Sequence, residues 1–387
     1  MRAALVTTRH AAQDDRIYYK QALSLAKRME VVMIAPDDGE LLSWPPPVRY
    51  RPLPRRRGLL GRSLSLVEAV REVRREQPDF CHVHDLDLVA AIPFLRLLTR
   101  AKIIYDSHEA YPEQFLTREV IPRLLRPSVA RAVDFLEKHF VRCAHQVVTA
   151  DKPTERSFAV TGVRANTVFN YPPLEIFETN ETEVKAVKAK YADRVPIIYQ
   201  GTMSADRGLF HMIDALSLIA KSEPAILLRL IGLDKPALKA EARARAVAKG
   251  VLGNIEIVEW VPHTQLAYHM KSSLIGLIPL QPTEKYKRNI PIKLFEYMAC
   301  GLPVVAADVP SIAHFLSQTE AGVLYDSTRP EELARNVLEL LADPERCGRM
   351  GQSGLAAVRD RWNWERMERE LYRVYAVLGA CLDEGTV

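Results

Sequence analysis

The feature that most constrains the fold is an alternation of short apolar strands and amphipathic helices that runs through the first 170 residues, breaks, and starts again. It begins with a strand at 3–7, a polar loop at 8–15, a helix at 17–28 and a strand at 31–35. This order is typical of a βαβ unit and therefore of a parallel sheet. The same series predicts further strands at 80–83, 102–105, 146–149 and 166–169.

The break lies at 170–173, where the sequence is NYPP and an acidic stretch follows. Six more strands are predicted after it, at 195–200, 226–231, 255–258, 274–278, 304–307 and 322–325. A chain of 387 residues is also longer than one hydrophobic core usually supports, which is about 250–300 residues. We therefore predict two α/β domains, at 1–170 and 171–365, and a C-terminal helical segment at 366–387.

Composition excludes several classes of protein. The net charge of +5 is too small to indicate a nucleic-acid partner. The five cysteines are scattered and lack CxxC spacing, which favours a reducing cytoplasm over a disulfide or zinc framework. The N-terminal apolar run is too short for a signal peptide, and no run reaches the roughly 18–20 residues of a membrane span. The sequence thus predicts a cytoplasmic protein.

One segment is strongly basic. Residues 49–62 read RYRPLPRRRGLLGR, and a helix predicted at 64–76 carries arginines on one side. One interpretation is a loop and helix face that are simply solvated. The other is that Arg49 to Arg75 contact anionic lipid at the inner face of the plasma membrane, since each basic residue there adds roughly 1 kcal/mol.

The stretch from 284 to 308 combines three signals. A polar, cationic loop precedes a short helix predicted at 292–300, which places Lys293 and Glu296 on one face. A helix N-terminus suits an anion such as a diphosphate, and Lys293 adds a full charge there. Glu296 can accept hydrogen bonds from the hydroxyls of a ribose. Phosphate and ribose together indicate a nucleotide.

A second anion-binding turn follows the strand predicted at 195–200. Its sequence, GTMSADRG at 201–208, lets backbone N–H groups approach a phosphate, and Arg207 supplies charge-assisted hydrogen bonds. Two cations near a diphosphate would stabilise it as a leaving group.

Polar clusters also follow two strands of the first half, at His84-Asp85 and at 106–109, and that edge of a parallel sheet is where ligands bind. The first loop lacks GxGxxG, so a nicotinamide cofactor is not expected. A metal site at His82, His84 and Asp85 fits on spacing alone; we disfavour it because no further ligand is evident and expect no metal.

These motifs resemble the family 4 nucleotide-sugar glycosyltransferases of the GT-B fold. The stretches that carry the resemblance are TTRHAAQDDRIYYKQALSLA, HVHDLDL, YDSHEAYPE, FNYPP, YQGTMSADRGL and, most specifically, NIPIKLFEYMACGLPVVAAD. The resemblance implies two Rossmann-like parallel-sheet domains facing a cleft, with a C-terminal helix that crosses back to the first. It also implies metal-independent transfer with retention of configuration, without a cofactor because the nucleotide-sugar is a substrate.

The resemblance also assigns residues. Glu296 matches the second glutamate of the family's E-x7-E motif, expected on the ribose. The predicted catalytic residues are His108, near the donor sugar, and Arg207 and Lys293, near the diphosphate. The predicted nucleotide-sugar-binding residues are Gly201, Thr202, Arg207, Arg288, Asn289, Ile290, Pro291, Lys293 and Glu296. The residues predicted on the acceptor or sugar side are His10, Asp15, Asp85 and Glu109.

The sequence departs from the motif at Arg288, where the family has its first glutamate. That glutamate commonly contacts the transferred sugar, so its absence leaves the sugar unidentified. Arg288 either holds a carboxylated sugar or points to solvent, and we favour the second. Asn289 and loop N–H groups could replace the glutamate.

The leading hypothesis is a retaining glycosyltransferase that moves a sugar from a nucleotide donor to a lipid-linked or glycan acceptor in surface-polysaccharide assembly. Closure of the two domains is expected to bring His108 against the donor. One alternative is a nucleotide-sugar 2-epimerase of the same architecture. Another is a nucleotide-sugar-binding protein without catalytic activity.

Overall fold

The computed structural model describes residues 1–37, 47–56, 58–109, 111–118 and 120–381. It divides into two compact units. Unit 1 comprises residues 1–170 together with 364–387, and unit 2 comprises residues 171–363. The segment that returns to unit 1 therefore begins at 364, where the sequence placed it at 366.

Unit 1 is built on a seven-stranded parallel sheet in the order β3-β2-β1-β4-β5-β6-β7. Its strands are β1 Arg2–Val6, β2 Glu30–Pro36, β3 Arg49–Leu53, β4 Phe80–Val83, β5 Lys102–Ser107, β6 Gln146–Thr149 and β7 Ala165–Thr167. Its helices are Asp15–Ala22, Leu23–Ala26, Gly58–Glu76, Leu86–Val89, Ile92–Leu98, Tyr111–Thr117, Arg126–Val141, Lys152–Ser157, Phe158–Thr161 and Trp364–Val377. The strand order reverses between β1 and β4, which is where ligands bind in open α/β sheets.

The last helix, Trp364–Val377, packs into unit 1 as the sequence predicted. Leu371 and Val374 are buried in one of the cores of that unit. The Trp364 Nε1–H donates to Ser24 Oγ at 2.9 Å, and the Tyr372 hydroxyl donates to the Ser24 carbonyl at 2.7 Å. Its apolar stripe therefore completes the face of the sheet that the first helices leave uncovered.

Unit 2 is built on a six-stranded parallel sheet in the order β10-β9-β8-β11-β12-β13. Its strands are β8 Val195–Gln200, β9 Ile226–Ile231, β10 Ile255–Val258, β11 Ile275–Ile278, β12 Val304–Ala307 and β13 Gly322–Tyr325. Its helices are Leu174–Phe177, Glu181–Ala189, Ala205–Arg207, Leu209–Ile219, Pro236–Ala248, Leu252–Asn254, His263–Lys271, Glu284–Arg288, Ile292–Ala299, Pro310–Leu316, Pro330–Leu341 and Pro344–Asp360. The order reverses between β8 and β11.

The basic segment was predicted to be a loop before its helix, but part of it is a strand. Residues 49–53 form the edge strand β3, which pairs with β2, and Arg49 and Arg51 contact Glu76 at 3.0 and 2.6 Å. Cationic side chains and Pro52 on this strand are typical of a protected sheet edge. Residues 57 and 38–46 lie outside the described residues.

The predicted loop that precedes residue 292 and the acidic stretch after residue 173 both contain a helix that begins at a side-chain cap. Thr283 Oγ1 accepts from the Tyr286 N–H and starts helix Glu284–Arg288, whose Tyr286 is buried. Asn180 caps helix Glu181–Ala189, in the acidic stretch, by accepting from the Thr182 N–H at 2.8 Å. The first predicted helix, at 17–28, is π-helical over Asp15–Ala22 before it becomes α-helical.

No helix among the described residues is long and apolar enough to cross a membrane.

Candidate functional site

A pocket of about 270 Å³ opens in unit 2 at the carboxyl ends of β8 and β11. Ten side chains line it: Gln200, Arg207, Leu280, Tyr286, Asn289, Ile290, Pro291, Ile292, Lys293 and Glu296. Six of these were predicted to bind a nucleotide-sugar, namely Arg207, Asn289, Ile290, Pro291, Lys293 and Glu296. Folding thus brings together two segments that the sequence separates by about 80 residues.

Lys293 is the most unusual group in this pocket. Its side chain is 8% exposed, and its Nζ has no hydrogen-bond partner among the described residues. The Nζ lies 3.6 Å from the ring centroid of Tyr199, so the face of the ring is its nearest negative charge density. Burial and the charge of Arg207 lower the pKa of Lys293 well below its ordinary value, and Glu296 opposes this only in part. The ammonium therefore lacks the anion that would stabilise it.

Gly201 keeps the space beside Lys293 open. It has a φ of +100°, which favours glycine, and a Cβ there would lie 3.6 Å from the Lys293 Nζ. At the other end of the turn, Gly208 has a φ of +82°, and a Cβ there would approach the Pro279 carbonyl oxygen to 2.1 Å. Only glycine can therefore close the turn against the β11 loop.

Arg207 is held by the same turn. Its guanidinium donates to the carbonyl of Thr202 at 3.2 Å. The neighbouring Asp206 accepts from the Tyr286 hydroxyl at 3.0 Å, which ties the turn to helix Glu284–Arg288. Thr202 thus positions Arg207 through its backbone.

Glu296 lies one helical turn from Lys293 and is 7% exposed. Its carboxylate accepts a hydrogen bond from the Gln200 side-chain amide. The Tyr297 hydroxyl accepts from the Gln200 N–H at 3.0 Å, so the end of β8 and helix Ile292–Ala299 are locked together. A fixed carboxylate of this kind can accept further hydrogen bonds from hydroxyl groups.

Arg288 is the last residue of helix Glu284–Arg288 and is partly exposed. The pocket wall on this side is formed by residues 289–293, with Arg288 just before it. Helix Ile292–Ala299 begins after Pro291 without a side-chain cap, which leaves its first N–H groups available to a ligand.

A second polar cluster lies in unit 1, at the carboxyl ends of β1 and β4. Asp85 is 1% exposed and accepts hydrogen bonds from the Thr7 hydroxyl and from the N–H groups of Thr8 and Arg9. Its other oxygen lies 2.7 Å from Nδ1 of His10. Burial alone would raise the pKa of Asp85, but the hydrogen bonds and charge of His10, with those from the loop, lower it to about 2.

His108 joins this cluster from β5. Its Nε2 lies 3.3 Å from the Nε2 of His10, and its Nδ1 lies 3.4 Å from Asp106 Oδ1. Asp106 and Ser107 were expected just past the strand, but β5 includes them, and Asp106 is fully buried. Arg16 and Gln21 donate to Asp106 and account for this burial.

Two predicted residues of unit 1 lie apart from these contacts. The carboxylate of Asp15 lies 2.6 Å from the Lys20 Nζ, which also donates to the Asn170 side chain. Glu109 is exposed and accepts from the Gln114 amide.

The metal interpretation must be revised. Asp85 faces the first loop, whereas Asp106 joins His82 and His84, with one ligand-type atom of each within 4.8 Å. Asp106 is the third possible ligand of this cluster, and the spacing of residues in the sequence did not reveal it. Arg16 already pairs with Asp106 at 3.1 Å, and His84 Nε2 lies 2.7 Å from Oε1 of the Gln21 side chain. We therefore do not assign a metal site to this cluster.

Comparison with known proteins decides the family. Residues 18–172 match the sequence model of the glycosyl transferase 4-like domain, and residues 180–356 match that of glycosyl transferases group 1. The chain belongs to glycosyltransferase family 4.

Relatives of this family 4 protein are distant. A D-inositol 3-phosphate glycosyltransferase of Segniliparus rotundus is 28% identical over 44% of this chain and 37% of its own length. The chain spans less than half the length of the first curated relatives that it matches.

Solved structures establish the fold as GT-B. Sucrose-phosphate synthase from Thermosynechococcus elongatus superimposes with a TM-score of 0.77 at 19% identity, covering 97% of this chain and 98% of that one. Anabaena HepE in complex with UDP gives a TM-score of 0.75 at 14% identity, covering 97% of this chain and all of that one.

Several site residues were missed from the sequence. In unit 2 these are Gln200, Leu280, Tyr286 and Ile292, and in unit 1 they are Arg16 and Gln21. Gln200 carried a usable signal, because it is the polar end of an otherwise apolar strand. Arg16 carried none, because an arginine beside a surface-type loop is usually solvated.

Proposed function

We propose that this protein is a retaining, metal-independent hexosyltransferase that moves a sugar from a nucleotide-sugar donor to a lipid-linked or glycan acceptor in surface-polysaccharide assembly. The observation that carries the proposal is Lys293, a buried amino group without a hydrogen-bond partner among the described residues, in a pocket that also holds Arg207 and Glu296. A charge that is buried and unpaired is costly, and a bound anion would remove that cost.

A nucleoside diphosphate supplies the groups that this pocket lacks. Its phosphates would accept from Lys293, from Arg207 and from the first N–H groups of helix Ile292–Ala299. Its ribose hydroxyls would donate to Glu296. Because negative charge on the diphosphate grows as the sugar–phosphate bond breaks, the two cations would stabilise the transition state more than the bound substrate.

The role proposed for His108 rests on the family resemblance. We propose that it stabilises the oxocarbenium-like transition state of the transferred sugar. Replacing His108 with alanine should then lower kcat much more than it raises the KM for the donor. A raised KM with an unchanged kcat would mean that His108 contributes only to binding.

The printed names of several relatives guide the choice of acceptors. They include D-inositol 3-phosphate glycosyltransferases and a GDP-mannose-dependent phosphatidylinositol monomannoside mannosyltransferase. We therefore propose to screen inositol phosphates and phosphoinositides beside polyprenyl-linked sugars. The transferred sugar, the base and the acceptor follow from that screen.

We also propose that helix Gly58–Glu76 contacts anionic lipid. Its residues Leu60, Leu64 and Val67 are 84, 50 and 65% exposed and recur at the spacing of one helical face. Arg62 and Arg71 are exposed on the same helix. Sedimentation with anionic vesicles at low salt should decrease in Val67→Asp but not in Val160→Asp, where a valine that is 69% exposed lies elsewhere in unit 1. Equal decreases would contradict the assignment.

The central experiment measures thermal stability against UDP, GDP, ADP, dTDP and CMP. One nucleotide should raise the Tm, because a ligand that binds only the folded state stabilises it by RT ln(1 + [L]/Kd). Glu296→Ala should abolish or reduce the shift, and the exposed Glu320→Ala should retain it. If none of the nucleotides raises the Tm, or if Glu296→Ala transfers sugar as fast as the wild type, the assignment of the pocket is wrong.

Three further measurements separate the reaction classes. Incubation of the donor alone should give no epimer, whereas a 2-epimerase would produce one. The anomeric coupling in the product should match that of the donor if configuration is retained. Transfer should persist in EDTA if the reaction is independent of metal.

A further inference from the structure

The two histidines of unit 1 face each other through identical atoms. His10 Nε2 and His108 Nε2 lie 3.3 Å apart, and their ring centroids are 4.9 Å apart. Two lone pairs would repel at this distance, and so would two N–H groups. The contact is favourable only if one proton lies between the two nitrogens.

The other nitrogen of each ring faces a carboxylate. His10 Nδ1 lies 2.7 Å from Asp85, whose low pKa keeps it ionised at neutral pH. An acceptor-only carboxylate requires a proton on that nitrogen. His108 Nδ1 makes no hydrogen bond with the described residues, but it lies 3.4 Å from Asp106. Asp106 is also ionised, because Arg16 and His108 outweigh its burial and lower its pKa well below the ordinary value. A proton on Nδ1 is therefore favoured by a hydrogen bond in His10 and by the charge of Asp106 in His108.

These contacts favour one proton count over the other. With a proton on each Nδ1 and a third between the two Nε2 atoms, the pair holds three protons on four nitrogens and carries one positive charge. Two neutral imidazoles would hold two protons and would leave the lone pair of His108 Nδ1 facing Asp106.

We propose that His10 and His108 share one proton and together form a cation at neutral pH, and that His10 presents this charge to an anionic group of the substrate. The second part of this proposal rests on the function proposed above. His10 is the ring that can reach a ligand, because its side chain is 28% exposed whereas that of His108 is 11% exposed.

The charges around the pair support this count. Burial alone would lower the pKa of His10, but the hydrogen bond and charge of Asp85, with smaller contributions from Asp14 and Glu109, raise it. Behind the pair, burial lowers the pKa of His82 to about 4 and that of His84 well below its ordinary value, so both are neutral. Arg16 balances Asp106 at 3.1 Å, which leaves Asp85 as the counter-ion of the pair.

The test of the shared proton needs no substrate. In the full chain labelled with 15N-histidine, two-bond 1H–15N spectra report the protonation of each ring nitrogen, with His10→Gln and His108→Gln used for assignment. At pH 7, the two rings together should carry three protons. A pair that carries only two protons at pH 7 would overturn the proposal.

Asp85→Asn should lower the pH at which His10 titrates by about one to two units, because a hydrogen bond to a charged group is of that size. Glu109→Gln, an exposed change that keeps the first loop intact, should lower it by less. His139→Gln, an exposed histidine of the same unit, should leave it unchanged. If both carboxylate variants leave the His10 titration unchanged, the proposal fails even where Asp85→Asn folds poorly.

The role toward substrate is tested by the pH profile of kcat/KM. The wild type should lose activity on the alkaline side as His10 loses its proton, and Asp85→Asn should move this limb to lower pH by the shift seen in the spectra. A limb that does not move would overturn the substrate role while the shared proton stands. A protein without transfer activity under any condition would contradict the proposed function and not the shared proton.

Discussion

The two units place their polar clusters at equivalent positions, where the strand order of each sheet reverses, yet the clusters differ in how far their charges are paired. In unit 1, Asp85 meets His10, and Asp106 meets Arg16 and Gln21. In unit 2, the Nζ of Lys293 lies over an aromatic ring and has no hydrogen-bond partner among the described residues. The carboxylates of one cluster are paired within the fold, whereas the Lys293 side chain of the other is not paired with an anion in the part of the chain that the structure describes.

The difference in charge pairing predicts that the two clusters affect different properties, the stability of the fold in unit 1 and ligand binding in unit 2. Charges that are buried and paired within the fold become part of what keeps it folded, and removing one partner leaves the other uncompensated. A charge that is buried and unpaired weakens the fold and strengthens the binding of an opposite charge. Substitutions in unit 1 should therefore act first on unfolding, and substitutions in the pocket of unit 2 should act first on affinity.

The largest effect is expected for Arg16→Met. Its guanidinium is 4% exposed and pairs with the fully buried Asp106, and it also donates to the Val168 carbonyl at 2.9 Å. Loss of one partner of such a pair should lower the free energy of unfolding of unit 1 by about 3–5 kcal/mol. Urea unfolding followed by circular dichroism measures this change.

The matched control is Arg245→Met in unit 2, where the arginine is 41% exposed and pairs with Asp214. An exposed pair of this kind should contribute less than about 1 kcal/mol. If the two variants lose equal stability, the distinction between the buried network and a surface pair does not hold.

In unit 2 the corresponding change is Lys293→Met. The affinity for the nucleoside diphosphate should fall about 100-fold, because a charge-assisted contact in a site shielded from water is removed. The unfolding free energy should stay the same or rise, because a buried polar amino group without a hydrogen-bond partner among the described residues is replaced by an apolar side chain of similar length. Isothermal titration calorimetry and urea unfolding measure the two quantities.

Lys287→Met is the control for charge alone, since Lys287 is an exposed lysine on the adjacent helix that pairs with Glu284 at 2.6 Å. It should bind the nucleotide as the wild type does. A loss of affinity equal to that of Lys293→Met would show that the pocket attracts the anion through general charge, without a specific contact.

The sequence predicted the pocket better than the histidine cluster, and the reason is physical. Lys293 and Glu296 lie one turn apart on a helix, so their common face follows from helical spacing alone. His10 and His108 are 98 residues apart and meet only because β1, β4 and β5 are neighbours in the sheet. Local spacing carries no information on such a contact.

The predicted strands also show that the local sequence does not reveal contacts between distant residues. Buried strands such as Phe80–Val83 and Val304–Ala307 have the predicted bounds, because continuous apolar runs are typical of parallel sheets. Strand β3 was missed because its exposed side carries arginines, and its pairing with Glu76 is a tertiary contact. Arg229 was likewise read as part of an apolar strand, yet it is fully buried and pairs with Glu256 at 2.6 Å.

A smaller effect that distinguishes the two clusters is the uptake of protons when the nucleotide binds. The lowered pKa of Lys293 means that the free protein at a pH above it holds a neutral amine, which a bound diphosphate would charge. Binding should therefore take up a fraction of a proton that grows with pH and approaches one. Calorimetry in buffers of different ionisation enthalpy measures this uptake.

The same titration in Lys293→Met should show no uptake from this site. Asp85→Asn should retain the wild-type value, since it changes no group of the pocket. Proton release on binding, in place of uptake, would contradict the assignment of Lys293 to the phosphates.

The smallest effect concerns the contribution of His10 to stability, which should depend on pH in the opposite sense to that of a paired carboxylate. The pKa of His10 is raised by folding above its ordinary value of 6.5. The stability that it contributes is therefore complete below that value and is lost as the pH rises through the raised pKa. The difference in unfolding free energy between the wild type and His10→Gln should be about 1 kcal/mol at pH 5.5 and smaller at pH 9. If this difference in unfolding free energy grew with pH, His10 would be neutral in the folded protein. The unit 1 cluster would then lack the positive charge of His10 and would consist of structural hydrogen bonds.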